Sequence, residues 1–432
     1  MPKCRICDII LGVPFLSLGN SPLSNAFLSK EDLNKMEPYY PLDIHLCEKC
    51  FLVQLEEFET AKNIFSADYA YFSSYSESWL QHCKNYTEIM INRFGFNKNS
   101  FVMEIASNDG YLLQYFKQHD IPVLGIEPAS NTAEVAIKKG IPTDITFFDS
   151  LYAKKMKETG KLADLIIGNN VLAHNPNLND FVEGLKIALK PNGIITMEFP
   201  HLLKLIEENQ FDTIYNEHFS YFSFYSVKKL FSAHNLELFD VEEIPTHGGS
   251  LRIYAKHKEA SSEQLAVSSS VDNLLAKEKS AGLLDLKTYY SFSKKVEATK
   301  RKLLHFLIQA KNEGKKIVGY GAPAKGNTLL NYCGIRTDFL DYTVDRSQHK
   351  QNKFLPGTHI PIKHPDKIKE DKPDYVLILP WNIKDEIMEQ MSFIREWGGK
   401  FIVPIPKVRI YYPQITQIST DKEHNKSTDY TD

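Results

Sequence analysis

The residues best suited to proton transfer lie together in the tetrapeptide Tyr215-Asn216-Glu217-His218. An imidazole has an unperturbed pKa of about 6.5, so it can accept a proton near neutral pH. His218 is therefore a candidate general base, with a carboxylate and a phenol as neighbours. A single histidine in an aromatic stretch is more often structural, so a catalytic interpretation needs support from the rest of the chain.

Two cysteine pairs with the same spacing predict a metal site. Cys4 and Cys7 form the first CxxC pair, and Cys47 and Cys50 form the second. Four thiolates are typical of a closed tetrahedral zinc site, which has no open position for catalysis. We therefore expect a structural Zn²⁺ whose intervening segment folds back as a small subdomain. The two remaining cysteines are isolated and no secretory signal is evident, which predicts a cytoplasmic protein.

Length and charge restrict the class of protein. The chain has 432 residues, more than the roughly 250–300 that one core usually holds, so two or three domains are expected. Its 51 basic and 54 acidic residues are nearly balanced, which argues against a nucleic-acid partner. No apolar stretch approaches the roughly 18 residues of a membrane span. Small-molecule partners are therefore expected.

The segment that follows Ser100 has the pattern of a doubly wound α/β domain. An apolar strand ends at Ala106, the small polar turn 107–110 follows, and a helix begins next. Roughly twenty residues after this turn, a second apolar strand ends in Glu127, where such folds place the acid that binds ribose hydroxyl groups. The spacing predicts a cofactor that contains adenosine.

The composition of the turn favours S-adenosylmethionine over a dinucleotide. A dinucleotide site has several glycines that let amides approach a pyrophosphate, whereas this turn has only Gly110. Glu104 and Asp109 would repel a pyrophosphate and attract the cationic groups of the methyl donor. The predicted cofactor-binding residues are Glu104, Ala106, Asn108, Asp109, Gly110, Glu127, Phe147, Asn169 and Asn170.

A second strand, glycine-rich turn and helix follow Lys316. Gly321 permits close approach of a phosphate, Lys325 supplies a cation, and the helix N-terminus favours an anion. With Asn327, these residues are candidates for binding a diphosphate. The alternative is a Rossmann-like turn without a ligand.

These motifs resemble the sugar C-methyltransferases of nucleotide-deoxysugar pathways, which methylate a nucleotide-linked 4-keto sugar at carbon 3. The resemblance covers nearly the whole chain, although Ala106 stands where methyltransferase turns usually have glycine. It implies an α/β fold with a Rossmann-like methyltransferase domain that binds S-adenosylmethionine, an N-terminal four-cysteine zinc module and a C-terminal Rossmann-like domain. The predicted segments are a zinc domain (1–75), a methyltransferase domain (76–258), a helical connector (259–315), a nucleotide-sugar-binding domain (316–417) and a disordered tail (418–432). The motifs that carry the resemblance are the two cysteine pairs and residues 104–110, 169–174, 215–218, 247–252, 319–327, 356–361 and 380–382.

The resemblance also implies a role for each site residue. His218 corresponds to the family's base, Glu217 orients it, and Tyr215 and His174 lie near the developing oxyanion. Tyr71 reaches the same pocket, with Tyr69 and Tyr75 as rivals. His247 and Arg252 are expected to contact either the sugar or a domain interface. A nucleotide-linked keto-deoxysugar is the expected substrate, and a monomer is the expected state.

Two other hypotheses stay open at this point. In the first, the glycine-rich turn binds a nicotinamide cofactor, and the protein is an oxidoreductase or epimerase acting on a nucleotide sugar. In the second, the zinc module is an interaction platform and the other domains are ligand sensors without turnover.

Overall fold

The structure is a computed structural model that describes residues 2–60, 72–412 and 427–429. The chain divides into two compact units, each assembled from three separate stretches. The predicted segments are not the units themselves, because residues 14–44 and 204–216 group with the C-terminal part of the chain. The first unit comprises Met1–Val13, His45–Leu203 and Glu217–Leu286, and the second comprises Pro14–Ile44, Lys204–Asn216 and Lys287–Asp432.

A seven-stranded sheet forms the centre of the first unit. Five neighbouring strands of this sheet run parallel. At one edge, Ser250–His257 pairs antiparallel with Leu189–Pro200, and Leu236–Ile244 pairs antiparallel with Ser250–His257. The central strands are buried on both faces, which explains their continuous apolar sequences. In spatial order the strands are Leu236–Ile244, Ser250–His257, Leu189–Pro200, Ala163–Asn169, Val102–Ile105, Val123–Ile126 and Thr143–Asp144.

Helices cover this sheet, and local sequence signals set their ends. The longest helix of the unit, Glu77–Phe94, begins where the Ser76 hydroxyl accepts a hydrogen bond from the Trp79 amide. It ends at Gly95, which has a φ of 72°. The α-helices are Glu77–Phe94, Leu113–Gln118, Ser130–Lys138, Ser150–Glu158, Leu178–Ala188, Phe224–Ala233 and Ser269–Ser280, with Leu202–Glu207 at the border between the units; the 3-10 helices are Ser73–Tyr75, Leu172–His174, Thr246–Gly248 and Glu263–Leu265.

The second unit contains another seven-stranded sheet and an antiparallel strand pair, Leu16–Ser21 with Tyr40–Leu46. Five neighbouring strands of the sheet are parallel, and their order matches a Rossmann fold extended by two antiparallel strands. In spatial order the strands are Ile362–Lys363, Thr343–Val344, Ile317–Tyr320, Tyr375–Ile378, Lys400–Val403, Arg409–Tyr411 and Ser427–Asp429. The helices are Leu286–Asn312, Ala324–Cys333, Lys367–Asp371 and Lys384–Gln390, with 3-10 turns Lys30–Asn34, Phe211–Thr213, Trp381–Ile383 and Ser392–Trp397.

The predicted α/β fold class is confirmed. The predicted connector, 259–315, contains the helices Ser269–Ser280 and Leu286–Asn312. The predicted tail, 418–432, lies outside the described residues except for the backbone of Ser427–Asp429. Across the parts of the chain with described coordinates, no helix has the length and apolar character needed to cross a membrane.

Candidate active site

Two buried polar side chains mark the carboxyl edge of the first sheet. Glu104 lies near the end of one central strand, and Asn169 ends the neighbouring parallel strand. Both amide atoms of Asn169 and both carboxylate oxygens of Glu104 are buried, and none forms a hydrogen bond of normal geometry with a described residue. Burial raises the pKa of Glu104 well above its ordinary value. Buried polar groups are normally paired, so these atoms fit a polar ligand at this edge.

The turn after Glu104 is built from left-handed backbone. Ala106, Asn108 and Gly110 have φ values of 57°, 49° and 75°. A Cβ atom at Gly110 would lie 3.0 Å from Ile141 Cγ1, so glycine is required there for close packing as well as for its φ. Ala106 adopts the conformation that glycine favours, at a cost of roughly 1–2 kcal/mol. The alanine at this position therefore takes the backbone conformation that a glycine would adopt more easily.

Glu127 holds this turn from the next strand. One of its carboxylate oxygens accepts a hydrogen bond from the Asn108 amide at 2.9 Å, and the other accepts from the Ala129 amide at 2.8 Å. Burial raises the pKa of Glu127, and these two amides oppose the shift. A carboxylate has further lone pairs, so its predicted contact with ribose stays a prediction.

Asp109 is engaged by the protein itself. Its carboxylate accepts hydrogen bonds from the Ser74 hydroxyl and, at 3.2 Å, from Lys139 Nζ. Lys139 therefore offsets part of the negative charge that was expected to attract the cationic methyl donor, whereas the other oxygen of Asp109 is buried without a hydrogen bond among the described residues. Asn108 is tied to the same segment, because its side-chain oxygen accepts from the Ser73 amide at 2.9 Å.

Two further predicted cofactor residues lie at this edge. Phe147 is 40% exposed, whereas Phe148 is buried against Phe181 with ring centroids 5.6 Å apart. Phe147 is thus the one of the pair that can contact a ligand. Asn170 lies 3.1 Å from His247 Nε2, which joins His247 to the end of the same strand.

The four predicted metal ligands lie together in the first unit. Cys4, Cys7, Cys47 and Cys50 have all their sulfur atoms within 4.8 Å of one another. The Sγ–Sγ distances are 3.4 Å for Cys4–Cys50, 3.4 Å for Cys7–Cys47 and 3.8 Å for Cys7–Cys50. Tetrahedral zinc with Zn–S distances of about 2.3 Å would hold its sulfurs about 3.8 Å apart. The cysteine cluster therefore fits zinc.

The two cysteine turns have the same backbone design. The amides of Cys4 and Cys47 each donate to the carbonyl five residues later at 2.9 Å. The residue after each pair, Asp8 or Phe51, has a φ of 56°. This repeated turn aims both thiolates of each pair at one point, as a shared metal requires.

The zinc module is joined directly to the segment that contains His218. Val53–Leu55, which follows the second cysteine pair, pairs antiparallel with Ser220–Tyr221. The Phe219 carbonyl accepts from the Leu55 amide and from Arg5 Nη1, both at 3.1 Å. The Phe219 amide in turn donates to the Ala173 carbonyl at 2.8 Å. His218 is thus held on a segment fixed on both sides.

His174 and His218 contact each other edge to face, with ring centroids 4.6 Å apart. His174 Nδ1 lies 2.8 Å from the Glu217 carbonyl oxygen, which can only accept a hydrogen bond. Nδ1 therefore carries the proton, and Nε2 of the neutral ring is an acceptor. Burial lowers the pKa of His174 to about 4. The geometry thus differs from the expected oxyanion donor, because the neutral ring has no proton on Nε2.

The boundary between the two units falls within the tetrapeptide 215–218. Tyr215 belongs to the second unit, whereas Glu217 and His218 belong to the first. Glu217 is buried, and Tyr215 and His218 are partly exposed. Tyr71 lies outside the described residues. Its rival Tyr75 is 65% exposed.

Arg252 occupies a buried ionic network. Its guanidinium group binds Glu198 at 2.6 Å and Glu242 at 2.8 Å, and His82 contacts the same Glu198 at 2.9 Å. The His82 ring stacks on Trp79, which also contacts His247. These carboxylates engage the guanidinium group within the first unit, and its predicted contact with the sugar or with a domain interface stays a prediction. His82 and Trp79 were not predicted, because neither belongs to a recognisable motif.

The glycine-rich turn of the second unit has the expected close packing. Gly321 has a φ of 89°, and a Cβ atom there would lie 2.5 Å from Pro380 Cδ. Lys325 Nζ donates to the Asn382 side chain at 2.8 Å and lies 4.5 Å from the centre of the Trp381 ring. Burial lowers the pKa of Lys325 to about 8. The amide group of Asn327 donates to the Ser24 carbonyl.

The loop that leads to Tyr215 is fixed within the second unit. Trp381 Nε1 donates to Asp212 at 2.7 Å, and the Thr328 hydroxyl donates to the Ile214 carbonyl at 3.0 Å. Asp212 is fully buried, and this raises its pKa to about 7. Asp212 was not predicted as a functional residue, because its partner Trp381 is distant in the chain.

Comparisons with known proteins agree with this arrangement. Three family models match successive parts of the chain: "Putative zinc binding domain" over residues 4–65, "Methyltransferase domain" over 83–241 and "C-methyltransferase C-terminal domain" over 245–406. C-methyltransferase NovU of Streptomyces niveus is 34% identical over 414 residues, which cover 96% of this chain and 98% of NovU.

Solved structures match a smaller part of the chain. The PH0226 protein of Pyrococcus horikoshii OT3 is 14% identical, covering 44% of this chain and 95% of its own, with a TM-score of 0.35. A SAM-dependent methyltransferase of Anabaena variabilis ATCC 29413 is 17% identical, covering 40% of this chain and 83% of its own, with a TM-score of 0.32.

The site and the matches define an enzyme that depends on S-adenosylmethionine and transfers a methyl group to carbon. The chain belongs to the C-methyltransferase family that includes NovU. The expected methyl donor and the zinc-binding module are confirmed, and the matches favour the methyl donor over the nicotinamide alternative.

The cysteine cluster predicts metal content. Cys47→Ser removes one of four thiolate ligands, so we expect zinc to fall from about one ion per chain to a small fraction of that. Cys333→Ser alters a buried cysteine outside the cluster and serves as the matched control. Elemental analysis by mass spectrometry measures both. Full zinc content in Cys47→Ser would contradict the assignment.

The neutral state of His174 predicts an acid-sensitive stability. Its folded pKa lies below the ordinary 6.5, so the unfolded chain binds a proton as pH falls from about 6.5 towards 4 while the folded chain does not. When the pH falls from 7.5 to 5, the free energy of unfolding should decrease in both proteins. The decrease should be larger in the natural chain than in His174→Asn, by up to about 2 kcal/mol. Urea denaturation at both pH values measures the difference. His119→Asn, at a more exposed histidine, should behave like the natural chain.

Proposed function

We propose that this C-methyltransferase acts on carbon 3 of a nucleotide-linked 4-keto-deoxysugar. The observation that carries the proposal is the placement of His218, partly exposed and beside a neutral His174, on a segment fixed by the zinc module and the sheet. The motif resemblance supplies the substrate class. The family membership is consistent with the proposed role of His218 and with this substrate class.

His218 is the proposed base. A proton on the carbon next to a ketone becomes acidic because the electron pair left behind spreads onto the carbonyl oxygen as an enolate. His218 removes this proton, and its partial exposure lets it contact a substrate. Neutral His174 does not compete electrostatically with protonation of its neighbour. His174 is therefore a positioning residue that holds the backbone of Glu217 in place.

The Tyr215 hydroxyl is the proposed donor to the enolate oxygen. Donors aimed at charge that develops in the transition state typically contribute about 100–1,000-fold in turnover. Glu217 orients His218. When bound, S-adenosylmethionine supplies a methyl group on a positively charged sulfur. The enolate carbon would take this methyl group, S-adenosylhomocysteine would leave with the electron pair of the broken carbon–sulfur bond, and the ketone would be restored.

The predicted residues at the carboxyl edge of the first sheet are proposed to hold the methyl donor. Glu104 is suited to its ammonium group because its carboxylate has no hydrogen bond of normal geometry among the described residues. The Asn169 amide can both donate and accept. Glu127 and Phe147 are proposed for the ribose and adenine, and Asn170 and His247 for the neighbouring rim.

The glycine-rich turn of the second unit is proposed to bind the sugar diphosphate. Gly321 allows the backbone to approach, and Lys325 contributes a cation at the start of the helix Ala324–Cys333. The side-chain oxygen of Asn327 is buried without a hydrogen bond among the described residues.

We place the protein in the cytoplasm, a compartment that keeps the thiolates of its cysteine cluster reduced.

Solvent exchange tests the base separately from methyl transfer. In D₂O with S-adenosylhomocysteine and a nucleotide-4-keto-deoxyhexose, the enzyme should exchange the carbon 3 proton for deuterium. His218→Gln should slow this exchange by about 100-fold or more, because general-base catalysis contributes about 10²–10⁴-fold. His119→Gln is the matched control. Unchanged exchange in His218→Gln, measured by proton NMR, would contradict the assignment.

A further inference from the structure

A pocket of about 350 Å³ opens in the second unit beside the glycine-rich turn. Tyr320 ends one parallel strand, Arg346 follows the end of its neighbour, and His364 follows the strand beyond. The three strands are adjacent and parallel, so these residues share the carboxyl edge of the sheet. Ligands of open α/β sheets bind outside this edge.

The lining is cationic and aromatic. The Arg346 side chain is exposed, and no hydrogen bond or ion pair to its guanidinium group occurs within the described residues. Lys369 Nζ lies 4.7 Å from the centre of the Phe393 ring. Asp366 is the acidic residue of the lining, and its carboxylate lies 3.2 Å from His364 Nδ1. The pocket thus offers an unpaired guanidinium group beside an aromatic wall.

The size and position of the pocket indicate its occupant. Its volume lies near the lower end of the roughly 300–1,000 Å³ of small-molecule sites, which suits one nucleoside and is too small for a dinucleotide. Aromatic rings and guanidinium planes stack on nucleobases, and arginine also pairs with phosphate. The amide of Gln390, which accepts from the Tyr320 hydroxyl, adds hydrogen-bonding capacity.

The pocket is joined to the proposed diphosphate site by the backbone. Tyr320 and Gly321 are consecutive in the chain. The Asp345 carboxylate accepts from the Ala322 amide at 2.8 Å, and Lys350 Nζ donates to the Ala322 carbonyl at 3.0 Å. One loop therefore supports both the turn and the side of the pocket that contains Arg346. A ligand can place phosphates at the turn and its base in the pocket.

We propose that this pocket binds the nucleoside part of the nucleotide-linked substrate, with Arg346 as a binding residue. The inference rests on the proposed function for the identity of the substrate. Apart from Tyr320, it assigns a subsite to residues that lie outside the motifs that carry the resemblance. Lys369 and Phe393 form the wall against which the base packs.

Calorimetric titration of the full-length, zinc-loaded protein with nucleoside diphosphates tests the subsite without turnover. The probes are dTDP, UDP, CDP and GDP. We expect at least one to bind, and Arg346→Ala to weaken it by about tenfold or more, the value of one charge-assisted hydrogen bond. Arg346→Lys should recover part of the loss, and Phe393→Ala should weaken binding independently. Arg336→Ala, an exposed arginine of the same unit outside the pocket, is the matched control.

The outcomes separate this inference from the proposed function. Affinity for S-adenosylmethionine and zinc content should be unchanged in Arg346→Ala, which shows that the variant is folded. For a nucleotide sugar that the enzyme methylates, the KM of Arg346→Ala should rise by the same factor as its loss of nucleoside diphosphate affinity, while kcat stays within about threefold of the natural value. Absence of nucleotide binding, or equal binding by Arg346→Ala and the natural chain, overturns the inference. Nucleotide binding that depends on Arg346, without methylation of any nucleotide sugar, supports the subsite and rejects the proposed substrate.

Discussion

Hydrogen bonds to the main chain of Phe219 fix the segment of the first unit that contains His218. Its amide donates to Ala173 at 2.8 Å, and its carbonyl accepts from both Leu55 and Arg5 at 3.1 Å. Buried backbone groups must be paired, so these three bonds fix the segment between the sheet and the cysteine module. His218 immediately precedes this position. In the proposed mechanism, a metal module far from His218 in sequence therefore positions the base without supplying a catalytic group.

The carboxylates around the cofactor turn have distinct tasks. Glu127 accepts from two backbone amides, and Asp109 is bound by Ser74 and Lys139. Both therefore stabilise a turn whose left-handed residues are individually unfavourable. Glu104 is different, because neither of its oxygens has a hydrogen bond of normal geometry among the described residues. Burial raises the pKa of Glu104, and Tyr111 opposes that shift. In the proposed function, a cationic group of the methyl donor would stabilise the ionised form of this buried carboxyl group.

The sequence was sufficient for features encoded locally. The two cysteine turns, the strand and turn around Gly110, and the turn at Gly321 each depend on a few consecutive residues, and their predicted positions agree with the structure. Features that depend on distant partners were not predictable. The network around Arg252 joins residues up to 170 positions apart, and Asp212 meets Trp381 across 169 positions. The division of the tetrapeptide between two units is equally invisible to local patterns. The tautomer of His174 also follows from one contact, with the Glu217 carbonyl, that no spacing rule encodes.

In the proposed reaction, the methyl group is transferred to a carbon atom adjacent to the ketone of a nucleotide-linked sugar. The most direct test is carbon NMR of the product formed from S-adenosylmethionine labelled with ¹³C in its methyl group, using a nucleotide-4-keto-deoxyhexose labelled with ¹³C throughout the sugar. The account predicts a new methyl signal with one-bond coupling to carbon 3 of the sugar. A methyl signal without one-bond carbon coupling would show transfer to oxygen or nitrogen and would contradict the account.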